Sequence, residues 1–334
     1  MNRNEQLYGP SLECLEVLQN FELEHVNQYA DGYFNSLLRK RLSDKFNFPE
    51  NQIILGNGGE DLLKILFEKL SEDDSVLIPN PSYTFYKKYL DTRGNSVHSF
   101  DFQIVNGEYS YATDLILSEY KKYSPKLILL ASPNNPTGNT LTVAELEEIL
   151  KNIESKTIVV LDEAYWGFDN EYNQVGFVSL VSKYPNLMLL RSFSKLYGLA
   201  GLRIGFGICG ILVLEYLNWQ HQYLGFSRIL EEVAVAALNS EDYYKNIAET
   251  ISKDRDMLIS ELSGSKYFTP YRSKSNFVLV SFDAKYQKQV EETLSDEDAV
   301  IAKIIDSGMM RVTIGTTEHV QKFINLLKTA NYEY

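Results

Sequence analysis

The chain has 334 residues, long for one hydrophobic core and suited to a large domain with a smaller partner. Its formal charge of −13 argues against a nucleic-acid surface, which rewards clustered Lys and Arg, and requires any anion site to be local. A hydrophobic fraction of 44% with 23% charged residues is that of a soluble globular protein. Cys14 and Cys209 lie far apart, so no secreted disulfide framework is expected. No apolar run reaches the roughly 18 residues a membrane span needs, and the first six residues lack the apolar stretch of a signal peptide. A cytoplasmic location is the expectation. There are no internal repeats and no low-complexity linkers.

Residues 1–30 read as a polar entry arm. Leu7-Tyr8-Gly9-Pro10-Ser11 reads as a turn, and Ser11 is placed to cap a short helix carrying Leu12, Leu15 and Leu18. After Tyr29-Ala30-Asp31-Gly32 a helix is expected over about 33–46, with Leu37, Leu38 and Leu42 on one side. Ile53-Ile54-Leu55 is a short strand that enters Gly56-Asn57-Gly58-Gly59-Glu60-Asp61 and then a helix through Leu62 to Leu70. A strand, a glycine turn and a helix start together form an anion site: the first-turn amides are unpaired, the dipole is positive there and glycine permits close approach. The same pattern also serves as a plain tight turn.

Val76-Leu77-Ile78 is a strand stopped by Pro79 and Pro81. Tyr83 then falls at the carboxyl end of a sheet strand, where open α/β sheets place ligands. Residues 96–100 read as a strand and 115–120 as a helix. Leu127-Ile128-Leu129-Leu130-Ala131 is apolar throughout, like a central parallel strand, and enters Ser132-Pro133-Asn134-Asn135-Pro136-Thr137-Gly138. Thr142 caps the next helix, with Glu145 at the capping-box position. Thr157 to Leu161 is another buried strand, ending in Asp162-Glu163-Ala164-Tyr165. A carboxylate in that place is either a structural charge or the partner of a cationic ring nitrogen.

The apolar run Leu187 to Leu190 leads into Arg191-Ser192-Phe193-Ser194-Lys195-Leu196-Tyr197-Gly198, with Arg203 close behind. Lys195 stands among small, hydroxylated and glycine residues rather than on a charged helix face. A lysine held at the end of a buried strand is a candidate Schiff-base nucleophile, because desolvation disfavours an ammonium ion. Ser192, Ser194 and Arg203 add hydroxyl and guanidinium donors for a phosphate. Together they suggest a lysine that carries a phosphorylated aldehyde; the plain alternative is a surface lysine after a strand.

Residues 202–207 read as a strand, followed by helical periodicity over 212–217 and 229–238. A long helix over about 242–262 stops at Gly264. The last part alternates: a strand at 276–280, a helix at 286–294, a short strand at 299–302, then Met309-Met310-Arg311-Val312-Thr313-Ile314-Gly315 and a helix at 318–327.

The lysine box, the Asn135-Pro136-Thr137-Gly138 run and the Asp162-Glu163-Ala164-Tyr165 run occur in one order along the chain. In that order they resemble fold-type I pyridoxal-phosphate (PLP) enzymes of aminotransferase class I/II, and within these the histidinol-phosphate aminotransferase branch. The resemblance covers nearly the whole chain. It implies an α/β fold, the PLP-dependent transferase fold type I, with a mostly parallel central sheet and helices on both faces. A large PLP-binding domain would span 28–240, and a small α+β domain would combine the arm, 1–27, with 241–334.

The cofactor so implied is pyridoxal 5'-phosphate, with no metal. Lys195 would carry it, and Asp162 would pair with its ring nitrogen. Asn135 and Tyr165 would donate to its phenolic oxygen. The backbone N–H groups of Gly59 and Glu60, with Ser192, Ser194 and Arg203, would hold its phosphate, and Tyr83 would stack on the ring. Tyr29 would reach a neighbouring subunit's cofactor phosphate, which implies a homodimer with a shared active site. Arg311 would bind the substrate carboxylate, with Asn276 and Tyr8 near the substrate.

The chain departs from the branch at three places. Gln6 and Leu7 replace an Asn-Pro pair in the arm, and Ala30 replaces a proline after Tyr29. Lys303 stands where the branch places an arginine for the substrate's own phosphate, and the segment 304–310 looks short. Lysine binds a phosphate without the bidentate fork of arginine. The expected reaction is therefore amino-group exchange between an amino acid and a compact keto or amine substrate, phosphorylated or not. Decarboxylation of a phosphorylated amino acid, as in the threonine-phosphate decarboxylases, would use the same Lys195 and Asp162, since a fold does not fix a reaction. A binding protein on the same scaffold is the non-enzymatic alternative.

Overall fold

A computed structural model describes residues 3–21, 26–29, 36–168, 176–219, 225–297 and 300–329. In chain order the first half carries α1 (Leu12–Asn20), α2 (Leu37–Phe46), β1 (Ile53–Gly56), α3 (Gly59–Glu68), β2 (Ser75–Asn80), α4 (Thr84–Arg93), β3 (Ser96–Asp101), β4 (Gln103–Val105), β5 (Glu108–Ser110), α5 (Thr113–Tyr123), β6 (Leu127–Ala131) and α6 (Val143–Lys151). The second half carries β7 (Ile158–Asp162), α7 (Gly176–Lys183), β8 (Leu187–Ser192), β9 (Gly205–Cys209), α8 (Ile211–Leu217), α9 (Arg228–Asn239), α10 (Glu241–Ser263), β10 (Phe268–Pro270), β11 (Phe277–Phe282), α11 (Gln287–Thr293), β12 (Ala302–Asp306), β13 (Met309–Thr313) and α12 (Thr317–Thr329).

Seven strands form one sheet in the order β1-β9-β8-β7-β6-β2-β3. Its central strands are apolar without alternation because both faces are covered. Side chains of a strand alternate between faces, so Ile128, Leu130, Val159, Leu161, Leu187 and Leu189 pack on one side. Leu127, Leu129, Ile158, Val160, Met188 and Leu190 pack on the other. The β6–β7, β7–β8, β2–β6 and β2–β3 pairs are parallel. Their register aligns Ala131 with Asp162 and Asp162 with Leu190, so the carboxyl ends of β6, β7 and β8 open at one edge.

Strand β9 corrects the expected strand over 202–207. Residues Ala200–Leu202 form a 3-10 turn, and the strand begins at Gly205 and runs antiparallel to both β8 and β1. The link from Ser192 to Gly205 holds no crossover helix, and a parallel neighbour needs one. The strand expected at 299–302 lies later, at Ala302–Asp306, and pairs with β13 through a tight turn at Ser307-Gly308. The helix expected from residue 33 begins at Leu37, capped by the Ser36 hydroxyl; residues 33–35 and the Ala30-Asp31-Gly32 run lie outside the described residues.

Other local expectations meet their elements. Ser11 caps α1 by accepting from the Cys14 N–H. Thr142 and Glu145 form both halves of a capping box on α6. Periodicity in the sequence does not mark α4, α7, β10 or the β4–β5 hairpin. In α4 only Tyr86 and Leu90 are buried, too few to impose a visible helical period on Thr-Phe-Tyr-Lys-Lys-Tyr.

Strands β10, β11, β13 and β12 make a second, antiparallel sheet, with α10 packed beside it and α12 on α10. The long helix α10 connects the two sheets in sequence. It buries Tyr244, Ile247, Ala248, Ile251, Leu258 and Leu262 along one stripe. Among the described residues no helix is long and apolar enough to cross a membrane.

Candidate active site

A cavity of about 720 Å³ opens at the carboxyl ends of β6, β7 and β8. Gly59, Glu60, Tyr83, Asn135, Asp162, Tyr165, Ser192, Ser194, Lys195, Arg203 and Arg311, all expected from the sequence as site residues, line it.

One end of the cavity suits a phosphate. The N-cap of α3 is Gly58, at φ +86°, which has no side chain to occupy the first-turn N–H groups. A Cβ built on Gly58 would stand 2.5 Å from Arg203 Nη2, and one on Gly205 would stand 2.5 Å from the Gly58 carbonyl carbon. Gly205 is restricted to glycine by that backbone approach and Gly58 by its positive φ, and the bareness of Gly58 lets the Arg203 guanidinium lie against the helix start. Arg203 Nη1 is 3.4 Å from Ser194 Oγ. Its Nη2 is 3.9 Å from Glu60 Oε2. Glu60 also accepts from the Tyr83 hydroxyl. Burial and the Glu60 charge push the Tyr83 hydroxyl well above the usual phenol range.

Asp162 forms the floor. It is 8% exposed, as the last residue of the fully apolar β7. Its Oδ1 accepts from the Ala164 N–H at 2.9 Å and its Oδ2 from the Tyr86 hydroxyl at 2.6 Å. Burial pushes the carboxyl above the usual carboxylate range, against the pull of those two hydrogen bonds and the Lys195 charge. Beneath it Glu163 and Arg191 form a fully buried ion pair at 2.9 Å, with the guanidinium stacked 4.3 Å from the Trp166 ring centroid. That pair locks the ends of β7 and β8 together.

Lys195 sits on a loop that closes on itself through Gly198 N–H to Lys195 C=O and Leu199 N–H to Phe193 C=O. Its Nζ donates to the Arg3 carbonyl at 2.5 Å and lies 5.4 Å from the Tyr165 ring centroid. Across the cavity, Arg311 Nη1 donates to Asn135 Oδ1 at 2.8 Å. An arginine only donates, so this bond fixes the Asn135 amide and turns its Nδ2 to Tyr165 Oη at 3.3 Å. Burial pushes the Arg311 guanidinium below its usual range.

Residues of this site that the sequence did not mark include Tyr86 and Asn4. Tyr86 is the donor to Asp162, and the Tyr83-x-x-Tyr86 spacing, one turn of a helix apart, was the available signal. Asn4, fully buried at φ +55°, donates to Tyr165 Oη at 3.0 Å and accepts from Thr313 Oγ1 at 3.0 Å. Its signal was in the arm: Asn4 stands at the first asparagine of the Asn-x-Asn-Pro-x-Gly-Pro-Ser element that residues 4–11 resemble. Arg3 and Glu5 also line the cavity.

Four expected site residues lie off the cavity wall. Asn276 is fully buried behind the arm, donating to the Asn4 carbonyl at 3.1 Å. Tyr8 packs against the core. Lys303 is exposed on β12, directly opposite Arg311 in register. Tyr29 is 74% exposed and touches no part of this chain's own cavity. The Gln6 departure has a local reason: its amide clasps the Gly9 N–H and C=O, at 2.7 and 3.0 Å, and reaches the Leu196 carbonyl of the lysine loop at 3.4 Å.

A helix start left bare by glycine, an arginine beside it, a carboxylate with a free acceptor face and a lysine in the same cavity fit a phosphorylated pyridine aldehyde. The fold and this cavity define the PLP-dependent transferases of fold type I. The chain belongs to the aminotransferase class I and II family, which it matches over residues 1–327. It is 34% identical to histidinol-phosphate aminotransferase 2 of Archaeoglobus fulgidus, over 98% of this chain and 92% of that protein. It is 32% identical to histidinol-phosphate aminotransferase 1 of Mannheimia succiniciproducens, over 97% of this chain and 87% of that protein. Its fold is similar to that of histidinol-phosphate aminotransferase from Sinorhizobium meliloti, solved in complex with pyridoxal-5'-phosphate. The TM-score is 0.84 at 22% identity, covering 98% of this chain and 90% of that one. The protein is a PLP-dependent aminotransferase.

Proposed function

We propose that this aminotransferase moves an amino group between an amino acid and a compact anionic keto or amine substrate, in a cavity completed by a second copy of the chain. The observation that carries the reading is the convergence of Lys195, Asp162, Arg203 and Arg311 on one cavity. Bound PLP supplies an aldehyde for the amine and a ring that withdraws electrons from it. Lys195 would hold that aldehyde and, as a free amine, would take and return the substrate's α-proton. Asp162 holds the ring nitrogen charged through a charge-assisted hydrogen bond. Arg311 would clamp the substrate's α-carboxylate and so fix the orientation of its α-carbon in the cavity. Tyr165 and Asn135 hold the cofactor's phenolic oxygen, and Gly59, Glu60, Ser192, Ser194 and Arg203 its phosphate.

Lys303 neighbours Arg311 on the same face of the second sheet and is assigned the far anionic group of the substrate. The names of the relatives make histidinol phosphate the first amine to try. The lysine, together with the tight turn after β12, favours a smaller partner. Exposed Leu12, Leu18 and Leu37 near the arm support a homodimer, which would bring Tyr29 to the neighbour's phosphate. A cytoplasmic location belongs to the same proposal.

The test is a panel of phosphorylated and carboxylated amines given to the PLP-loaded protein, followed by absorbance. Conversion of the cofactor to its amine form by an anionic member supports the reading. Carbon dioxide release without that conversion, or no reaction with any member, defeats it.

A further inference from the structure

Tyr86 is 1% exposed, in the first turn of α4, and it meets the one carboxylate at the cavity floor. A carboxylate has about four acceptor positions. The Ala164 N–H takes one on Oδ1, and the Tyr86 hydroxyl takes one on Oδ2, at 2.9 and 2.6 Å. Backbone geometry imposes the first bond, and a side chain supplies the second. Each oxygen keeps one acceptor position. Asp162 lines the cavity, and the bonds from behind determine how its carboxylate turns toward it. A desolvated carboxylate tends to take up a proton and become neutral; donors aimed at its ionised form oppose that. Burial and the Asp162 charge keep the Tyr86 hydroxyl protonated far above neutral pH, so it remains a donor.

The tyrosine is itself held in place. Its N–H donates to the Tyr83 carbonyl at 3.1 Å, and its ring meets the Tyr83 ring edge-on, with centroids 5.6 Å apart. One helical turn therefore presents both the ring on the cavity wall and the donor under the floor.

We propose that Tyr86 is a positioning residue for the cofactor's ring nitrogen: its hydroxyl keeps Asp162 ionised and turned so that an acceptor faces the cavity. This rests on the reading that Asp162 faces that nitrogen. The ionised carboxylate in turn keeps the ring nitrogen protonated, which is the state that withdraws electrons. Phenylalanine at 86 preserves the packing and removes only the donor; histidine can restore an N–H.

The experiment loads wild type, Tyr86→Phe and Tyr86→His with PLP carrying 15N in the ring and records the nitrogen chemical shift, alongside kcat and KM for an accepted amine. The expected result is a protonated nitrogen in wild type and a shift toward the unprotonated value in Tyr86→Phe. In that variant kcat falls roughly tenfold to a hundredfold with KM little changed, the range for losing a hydrogen bond to a charged group. Tyr86→His recovers part of both. A wild-type nitrogen that is protonated, with the same shift in Tyr86→Phe, overturns the role of Tyr86 and leaves that of Asp162 standing. An unprotonated nitrogen in wild type overturns the Asp162 reading, and this one with it.

Discussion

At the scale of single residues, the site concentrates charges that the ligand-free fold would be steadier without. Asp162 is the plainest case. Its carboxyl is raised above the ordinary range by burial, so the folded state favours the protonated form more than the unfolded chain does. In the ligand-free protein that preference contributes stability at low pH. The contribution is lost as pH rises from the ordinary carboxylate range through the raised value. Asp162→Asn removes the titration. Ligand-free Asp162→Asn should melt a few degrees higher than wild type at neutral pH, and the two should converge in acid. Thermal melts across pH read this directly; equal melting temperatures at neutral pH would show that Tyr86 and Ala164 already compensate the burial fully.

Glu60 is a second cost of the same kind. Its carboxylate stands 3.9 Å from Arg203, at the helix start proposed for the cofactor phosphate. A phosphate arriving there meets a like charge and competes for the guanidinium. Glu60→Gln keeps an acceptor for Tyr83 and removes the charge. It should tighten PLP binding to the ligand-free protein by about twofold to tenfold, a small effect because the pair is partly exposed to solvent. Titration of PLP followed by fluorescence measures it, and weaker binding would mean that the carboxylate organises the turn. Arg311→Lys, by contrast, loses the planar fork that meets both the carboxylate and Asn135. KM for the amino acid should rise about tenfold or more in steady-state assays, with the cofactor retained.

At the scale of elements, the N-terminal arm carries more of the site than its polar composition suggests. Asn4 joins Tyr165 Oη to Thr313, and its carbonyl accepts from Asn276, so the arm, β7 and the second sheet meet in one buried knot. Asn4→Ala leaves the Thr313 hydroxyl without that acceptor and Tyr165 with one amide donor fewer. A loss of about 1–3 kcal/mol in urea unfolding is expected. The central strands β6, β7 and β8 could be read from the sequence because burial on both faces forces continuous apolar runs. Lys195 and Asp162 could be read because a charge at the end of such a run is costly to bury unless something binds it. The direction of β9 could not be read from its own residues, since a fully buried strand looks the same parallel or antiparallel. The short link before it, too short for a crossover helix, was the better indicator. The partners of Asn4 and Tyr86 were hidden because hydrogen bonds between residues far apart in sequence leave no local period. Tyr86 spans 76 positions to reach Asp162, and Asn4 spans 161 to reach Tyr165.

At the scale of the whole molecule, exposed apolar surface and a tyrosine remote from its own chain's cavity point the same way. Leu12 is 73% exposed, Leu37 57% and Tyr29 74%. Leu12 and Leu37 begin α1 and α2, which both pack on α9. Exposed apolar side chains that gather mark an interface, and closed two-fold pairing is the commonest way to cover one. The proposed dimer also gives Tyr29 its role, at the neighbour's cofactor phosphate. Two defective variants separate this from a role within one chain. Lys195→Ala lacks the essential amine, and Tyr29→Phe lacks the phosphate-binding hydroxyl. After unfolding and refolding as an equal mixture, a hybrid dimer has one site with both residues intact. Random reassortment makes half the dimers hybrid, so roughly a quarter of wild-type activity should appear beyond what either variant supplies. A mixture no more active than the average of its parents would place Tyr29 outside the neighbour's site and remove the reason for a shared cavity.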